Sequence, residues 1–110
     1  MSSEQSLLDV IAVNEDGRVR VRLRGELDLA GAPTLTERLR SLRERRETVL
    51  LDLDELEFID MGGLRVVLMA AEDASNDGWA LTVTRGSPAV RRLLALVSVD
   101  GQLPLDGNAT

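Results

Sequence analysis

A chain of 110 residues, with 19 acidic and 13 basic side chains and a formal net charge of -6, is sized for one domain around a single modest core. The acidic balance argues against nucleic acid or an anionic lipid surface as the partner and favours another protein. Histidine, cysteine and lysine are all absent, which excludes Ser-His-Asp and Cys-His nucleophile systems, thiolate zinc sites, disulfides, lysine-dependent phosphate loops and Schiff-base chemistry. A non-enzymatic protein with no cofactor and no metal is therefore expected.

Residues 1–6 are polar, carry no positive charge and lead into no long apolar run. No segment reaches the roughly 18 apolar residues that span a bilayer, so neither a signal peptide nor a membrane partner is expected and the chain reads as cytoplasmic. Residues 7–13 predict a strand, closed by Asn14-Glu15-Asp16-Gly17, whose Asp-Gly pair is a strong hairpin signal. Residues 18–24 alternate strictly, with Val19, Val21 and Leu23 on one face and Arg18, Arg20, Arg22 and Arg24 on the other. Such a basic stripe invites a nucleic-acid reading, but the acidic whole and the lack of a nearby aromatic residue for base stacking favour a solvated outer face. Residues 25–32 lead into a helix, with Pro33 suited to its first turn and Leu35, Leu39 and Leu42 as its buried stripe. Asp28 lies in the Gly-bounded lead-in, where an aspartate commonly shapes a turn. The helix closes in Arg43-Glu44-Arg45-Arg46-Glu47, an exposed charged end.

Val49-Leu50-Leu51-Asp52-Leu53 has the length and composition of a covered strand. Glu55, Glu57 and Asp60 are then read as crowding an acidic turn, anchored by the apolar pair Phe58-Ile59. Leu64, Val67, Leu68 and Ala71 recur at helical spacing, so a helix starting near Met61 presses one stripe on the sheet, with Asp60 as its N-cap. Three rival readings of this stretch are weaker. A phospho-accepting receiver domain uses a lysine that is missing here and does not open with a hairpin. A calcium loop needs Gly and Glu at offsets the sequence lacks. Phosphate binding at Gly62-Gly63 is opposed by the neighbouring Asp60, and close packing of the helix start explains both glycines.

Glu72, Asp73, Asn76 and Asp77 form the polar end of this helix, and Gly78 terminates it. Residues 79–84 predict a strand. Ser87-Pro88 reads as an N-cap followed by proline at the first helical position, with Val90, Leu93, Leu94 and Val97 on the apolar side and Arg91 and Arg92 outward. Leu103-Pro104-Leu105 is expected to add a short edge strand before a polar tail that frays. The predicted order is ββαβαβαβ, an α/β fold in which a mixed sheet opens with a β-hairpin and the helices pack on the sheet.

Phe58-Ile59-Asp60-Met61-Gly62-Gly63-Leu64 resembles the signature of STAS domains, the fold of bacterial anti-sigma-factor antagonists. Gly25-Glu26-Leu27-Asp28, the following Ala32-Pro33 and Ser87-Pro88-Ala89-Val90 are similar to other recurrent segments of that family, and the resemblance runs over residues 8–105. The family pattern usually reads aromatic, hydrophobic, Asp, Ser, Ser or Thr, Gly, Leu, and its first hydroxyl after the Asp is the phosphoacceptor. Here that position is Met61 and the next is Gly62. The segment keeps the scaffold of the signature without its hydroxyls. The resemblance implies a partner-switching regulator of transcription that binds an anti-sigma factor of the ATP-binding serine kinase type, through Asp28, Asp60, Met61, Gly62 and Arg65. An adaptor or scaffold subunit of a transporter or stress-signalling assembly is the alternative, and self-association into a homodimer is left open.

Overall fold

The computed structural model describes residues 7–97 and 102–106. The polar lead-in of residues 1–6 and the tail beyond 106 lie outside the described residues. The elements in chain order are β1 (Leu8–Glu15), β2 (Arg18–Leu27), α1 (Ala32–Glu44), β3 (Val49–Ile59), α2 (Met61–Asp77), β4 (Leu81–Val83) and α3 (Pro88–Val97). Strands lie in the order β1-β2-β3-β4; β1 and β2 are antiparallel, and β2-β3 and β3-β4 are parallel. The hairpin turns on Asp16 (φ 50°) and Gly17 (φ 81°), the two consecutive positive φ values that let a two-residue loop follow the strand twist. The parallel pairs follow from the helical crossovers α1 and α2, each long enough to carry the chain back to the same end of the sheet.

The alternation read in β2 holds: Val19, Val21 and Leu23 are buried and join Leu51, Leu53 and Val83 from the neighbouring strands. Leu35, Leu39 and Leu42 of α1 and Leu64, Val67 and Ala71 of α2 complete the same cluster. Each fully buried Leu or Val in it contributes about 1.5–3 kcal/mol relative to exposure. The arginine face of β2 is more engaged than a solvated stripe. Arg20 bridges Glu15 (2.9 Å) and the buried Asp52 (2.8 Å), while Arg22 and Arg24 both meet Glu55, at 3.4 and 3.0 Å. Cross-strand acids thus neutralise much of the basic row.

The acidic stretch after Leu53 departs from the expected turn, because β3 runs on to Ile59. Two register shifts against β2, between Arg22 and Arg24 and between Gly25 and Glu26, each give β3 one extra residue. Val49–Leu53 are buried throughout, and past them the bulges set a burial period of three: Leu53, Leu56 and Ile59 turn inward, while 54–55 and 57–58 face outward in pairs. Asp54, Glu55, Glu57 and Phe58 are therefore strand residues on an exposed face.

The predicted strand at 79–84 shortens to three residues. Thr84 leaves the ladder, but its Oγ1 accepts the Leu53 N–H (2.9 Å) and its own N–H reaches the Leu51 carbonyl (3.0 Å), so the buried backbone stays paired. The last expected strand reduces to a single parallel bridge between Val83 and Leu105. Pro104 has no N–H to extend a ladder; its carbonyl accepts from Val83 (2.9 Å), and the Asp106 N–H returns to the Val83 carbonyl (2.8 Å). The observed order is accordingly ββαβαβα.

Candidate functional site

β2 and β3 deliver their ends side by side, with Leu27 paired to Ile59 and the Asp60 N–H reaching the Leu27 carbonyl at 3.3 Å. The chain turns there because Asp60 adopts an extended conformation (φ -114°, ψ -177°), and its Oδ1 accepts the Gly63 N–H at 2.9 Å. Its carbonyl accepts from Leu64 (2.9 Å), so one residue ends the strand and starts α2. A left-handed Gly78 (φ 74°) closes the helix at its other end, as the sequence predicts.

Gly63 explains how closely α2 lies on the sheet. A Cβ at this position would stand 2.3 Å from the Leu27 carbonyl oxygen and 2.7 Å from Leu27 Cγ, contacts that no side chain permits. The close-packing reading of the glycine pair therefore holds for Gly63. At Gly62 a Cβ would meet Asp60 Oδ1 at 3.3 Å and Leu29 Cδ1 at 3.6 Å, which is tight but not prohibitive. The second observation places the β2–α1 turn directly against the start of α2.

Asp28 forms that turn from within. Its Oδ1 accepts the N–H groups of Ala30 (3.1 Å) and Gly31 (3.2 Å), and its carbonyl accepts from Gly31 and Ala32. The carboxylate holds the loop in a shape that leaves Leu29 pointing outward, 76% exposed. Of the five residues singled out in the sequence, Asp28, Asp60, Met61 and Gly62 come together at these two adjoining turns. Arg65 follows one helical turn along α2 and is exposed.

Met61 occupies the first position of α2 and is 54% exposed. Leu29 and the 46% exposed Phe58 are the members of this surface that the sequence reading missed. Leu29 sits in a Gly/Ala turn with no periodicity to mark its direction. Phe58 was expected to anchor the turn, but the second bulge of β3 sends Ile59 inward in its place. The signal available for Phe58 was the spacing of three between Leu53, Leu56 and Ile59.

Of the acidic residues of β3, Asp52, Asp54 and Glu55 are engaged. Asp52 pairs with Arg20 and accepts the Asp54 N–H, Asp54 accepts the Gly86 N–H (3.2 Å), and Glu55 meets Arg22 and Arg24. Among the described residues, no group of three or more His, Cys, Asp or Glu is placed to hold a metal ion. No helix among them is long and apolar enough to cross a membrane.

The comparisons agree with this geometry. The family model described as "Mlab, STAS domain" matches residues 11–105. An anti-sigma factor antagonist from Mycobacterium paratuberculosis superposes with a TM-score of 0.79 at 25% identity, covering 96% of this chain and 89% of that one. A putative anti-sigma factor antagonist from Thermotoga maritima gives 0.75 at 20% identity, over 87% and 84% of the two chains. The antagonist SpoIIAA in its unphosphorylated form gives 0.70 at 18% identity, over 86% and 84%. With the family model matching residues 11–105, both adjoining turns included, the chain belongs to the STAS domain family and has the fold of its anti-sigma factor antagonists.

Proposed function

We propose that this protein is a non-enzymatic, cytoplasmic binding module of the anti-sigma-factor-antagonist type, which docks an anti-sigma factor of the ATP-binding serine kinase type and so frees a sigma factor. One observation carries the reading: Leu29, Phe58 and Met61 are large apolar side chains left exposed around the signature turn, beside the carboxylates of Asp28 and Asp60. Apolar side chains framed by polar groups are what a protein-binding patch presents, and methionine adapts its shape to a partner surface. Asp28, Asp60, Met61, Gly62 and Arg65 are its central members, and Leu29 and Phe58 extend it.

Met61→Asp separates binding from folding. An acidic residue in the first turn of α2 is favoured by the helix dipole, and this helix has none there, so the variant should fold. It should nevertheless lower affinity for the anti-sigma factor at least about ten-fold, because it puts a charge at the centre of an apolar contact. Asp28→Asn keeps the Oδ1 acceptor that holds the turn and removes only the charge. Titration calorimetry in which both folded variants bind like the wild type would move the interface elsewhere. Nucleotide turnover by the isolated chain above blank would instead sink the non-enzymatic reading.

The second reading, an adaptor or scaffold subunit of a transporter or stress-signalling assembly, is favoured by Met61 itself. A turn without a hydroxyl suits a standing contact better than one that phosphorylation dissolves. Recovery of such an assembly, with no anti-sigma factor, in a pull-down would select it.

A further inference from the structure

The outward face of α2 carries Met61, Arg65, Met69, Glu72 and Asn76, three or four residues apart, with Leu68, which the spacing placed in the buried stripe, at its edge and partly buried against the core. Its middle is apolar: Met69 is 56% exposed and Leu68 half-buried. Its flanks carry one cation and one anion. Arg65 and Glu72 have no ion-pair partner among the described residues; the same holds for Arg38 and Glu44 of α1, whereas Arg40, Arg43, Arg45 and Arg46 each have one. The two cannot satisfy each other, because seven residues of helix separate them by about 10.5 Å along the axis.

We infer that this stripe is a self-complementary interface, through which a second copy of the chain docks with its α2 antiparallel about a two-fold axis passing between Leu68 and Met69. In that arrangement Leu68 of one copy faces Met69 of the other, and Arg65 of each faces Glu72 of the other. Two symmetric ion pairs thus flank an apolar centre, as an isologous contact requires. A parallel arrangement would set Arg65 against Arg65 and Glu72 against Glu72, and is disfavoured. Beside the stripe, the groove between α1 and α2, about 140 Å³ and lined by Leu39, Val66, Met69, Ala70 and Trp79 among others, gives side chains of the second copy room to seat. One helix pair covers less than the about 1,600 Å² of a standard interface, so the dimer is weak and concentration-dependent. The inference stands without the anti-sigma-factor reading. If both hold, self-association covers Met61 and Arg65 and competes with the partner.

Sedimentation equilibrium of the full chain over a wide concentration range tests it. The wild type should follow a monomer–dimer equilibrium. Arg65→Glu and Glu72→Arg should each weaken it at least about ten-fold by turning two attractions into repulsions. An equimolar mixture of those two variants, and separately the double variant Arg65→Glu/Glu72→Arg, should restore association to within about three-fold of the wild type. A chain monomeric throughout, a dimer that neither reversal weakens, or single reversals rescued by neither the mixture nor the double variant would overturn the proposal. The single Trp79 in the groove supplies an independent fluorescence signal: its emission should change with concentration in the wild type and not in either single reversal.

Discussion

Gly63 and Asp60 divide the work of joining β3 to α2, and they differ in what substitution costs. Replacing glycine by alanine in a helix ordinarily gains up to about 1 kcal/mol of propensity. At Gly63 that gain is overridden, because the new methyl group would lie 2.3 Å from a backbone oxygen of the buried Leu27, which cannot move without shifting β2. Overpacking of this kind costs about 1–3 kcal/mol, and the backbone obstacle puts Gly63→Ala at or above the upper end. Asp60→Ala loses only the cap to the Gly63 N–H, about 0.5–2 kcal/mol. Urea denaturation should therefore rank Gly63→Ala below Asp60→Ala; a stabilised Gly63→Ala would show that α2 does not lie this close to β2. Trp79 shows the same local economy on the opposite side of the fold, donating its indole N–H to the Glu47 carbonyl at 2.8 Å while its ring stays buried.

At the scale of elements, α1 is tied to the far end of α2 by charge as well as by the leucine stripe. Arg43 reaches Asp77 at 2.7 Å and Asp73 at 3.3 Å, and Arg46 bonds the Asp77 carbonyl at 3.1 Å. The Arg43 side chain is the main reason that the Asp77 carboxyl is held below the ordinary aspartate value of 3.8; desolvation opposes it, and the Trp79 backbone N–H and the charge of Arg46 add to it. A carboxyl depressed in the folded state adds stability that is complete above its unfolded value and disappears as pH falls through the folded one. Asp77→Asn, which preserves the acceptor for the Trp79 N–H, should be less stable than the wild type at neutral pH, and the gap should close in acid below 3.8. Thermal unfolding at both conditions checks this; a gap that persists in acid would assign the loss to packing. The charged end of α1, read from sequence as solvent-facing, is in this sense a clamp.

At the scale of the whole molecule, we propose that the departure at Met61 concerns control. A phosphoryl group carries about -1.5 to -2 charges, enough to break an interface whose turns already hold the carboxylates of Asp28 and Asp60. Met61 and Gly62 offer no acceptor, so binding here should be constitutive or set by abundance. Incubation with a cognate kinase and ATP should leave the intact mass unchanged. Met61→Ser should create a modifiable site, since position 61 is exposed at the head of α2. A stoichiometric gain of one phosphate by the wild type would show that the switch has moved to another hydroxyl. Failure of a kinase that binds Met61→Ser to modify it would tell against this placement of the turn.

Much of this architecture is legible in the chain alone, because it depends on interactions of short range. The Asp16-Gly17 turn, the alternation of β2, the Asp60 cap, the Gly78 stop and the stripes of α1 and α2 each follow from spacing and local conformational preference. The same local signals put Asp28 in a turn and Asp60 at the head of α2, while the choice of Asp28, Asp60, Met61, Gly62 and Arg65 as one set came from the family resemblance. What the chain alone did not disclose depends on which residues stand opposite one another. The bulges that carry β3 through the acidic stretch exist only in register with β2, and they turn Phe58 out and Ile59 in. Leu29 becomes a neighbour of Gly62 only when β2 and β3 end side by side, and the arginine row finds its acids only across strands. Pairing, which sums contacts between residues distant in sequence, decided these points and with them the surface the protein presents.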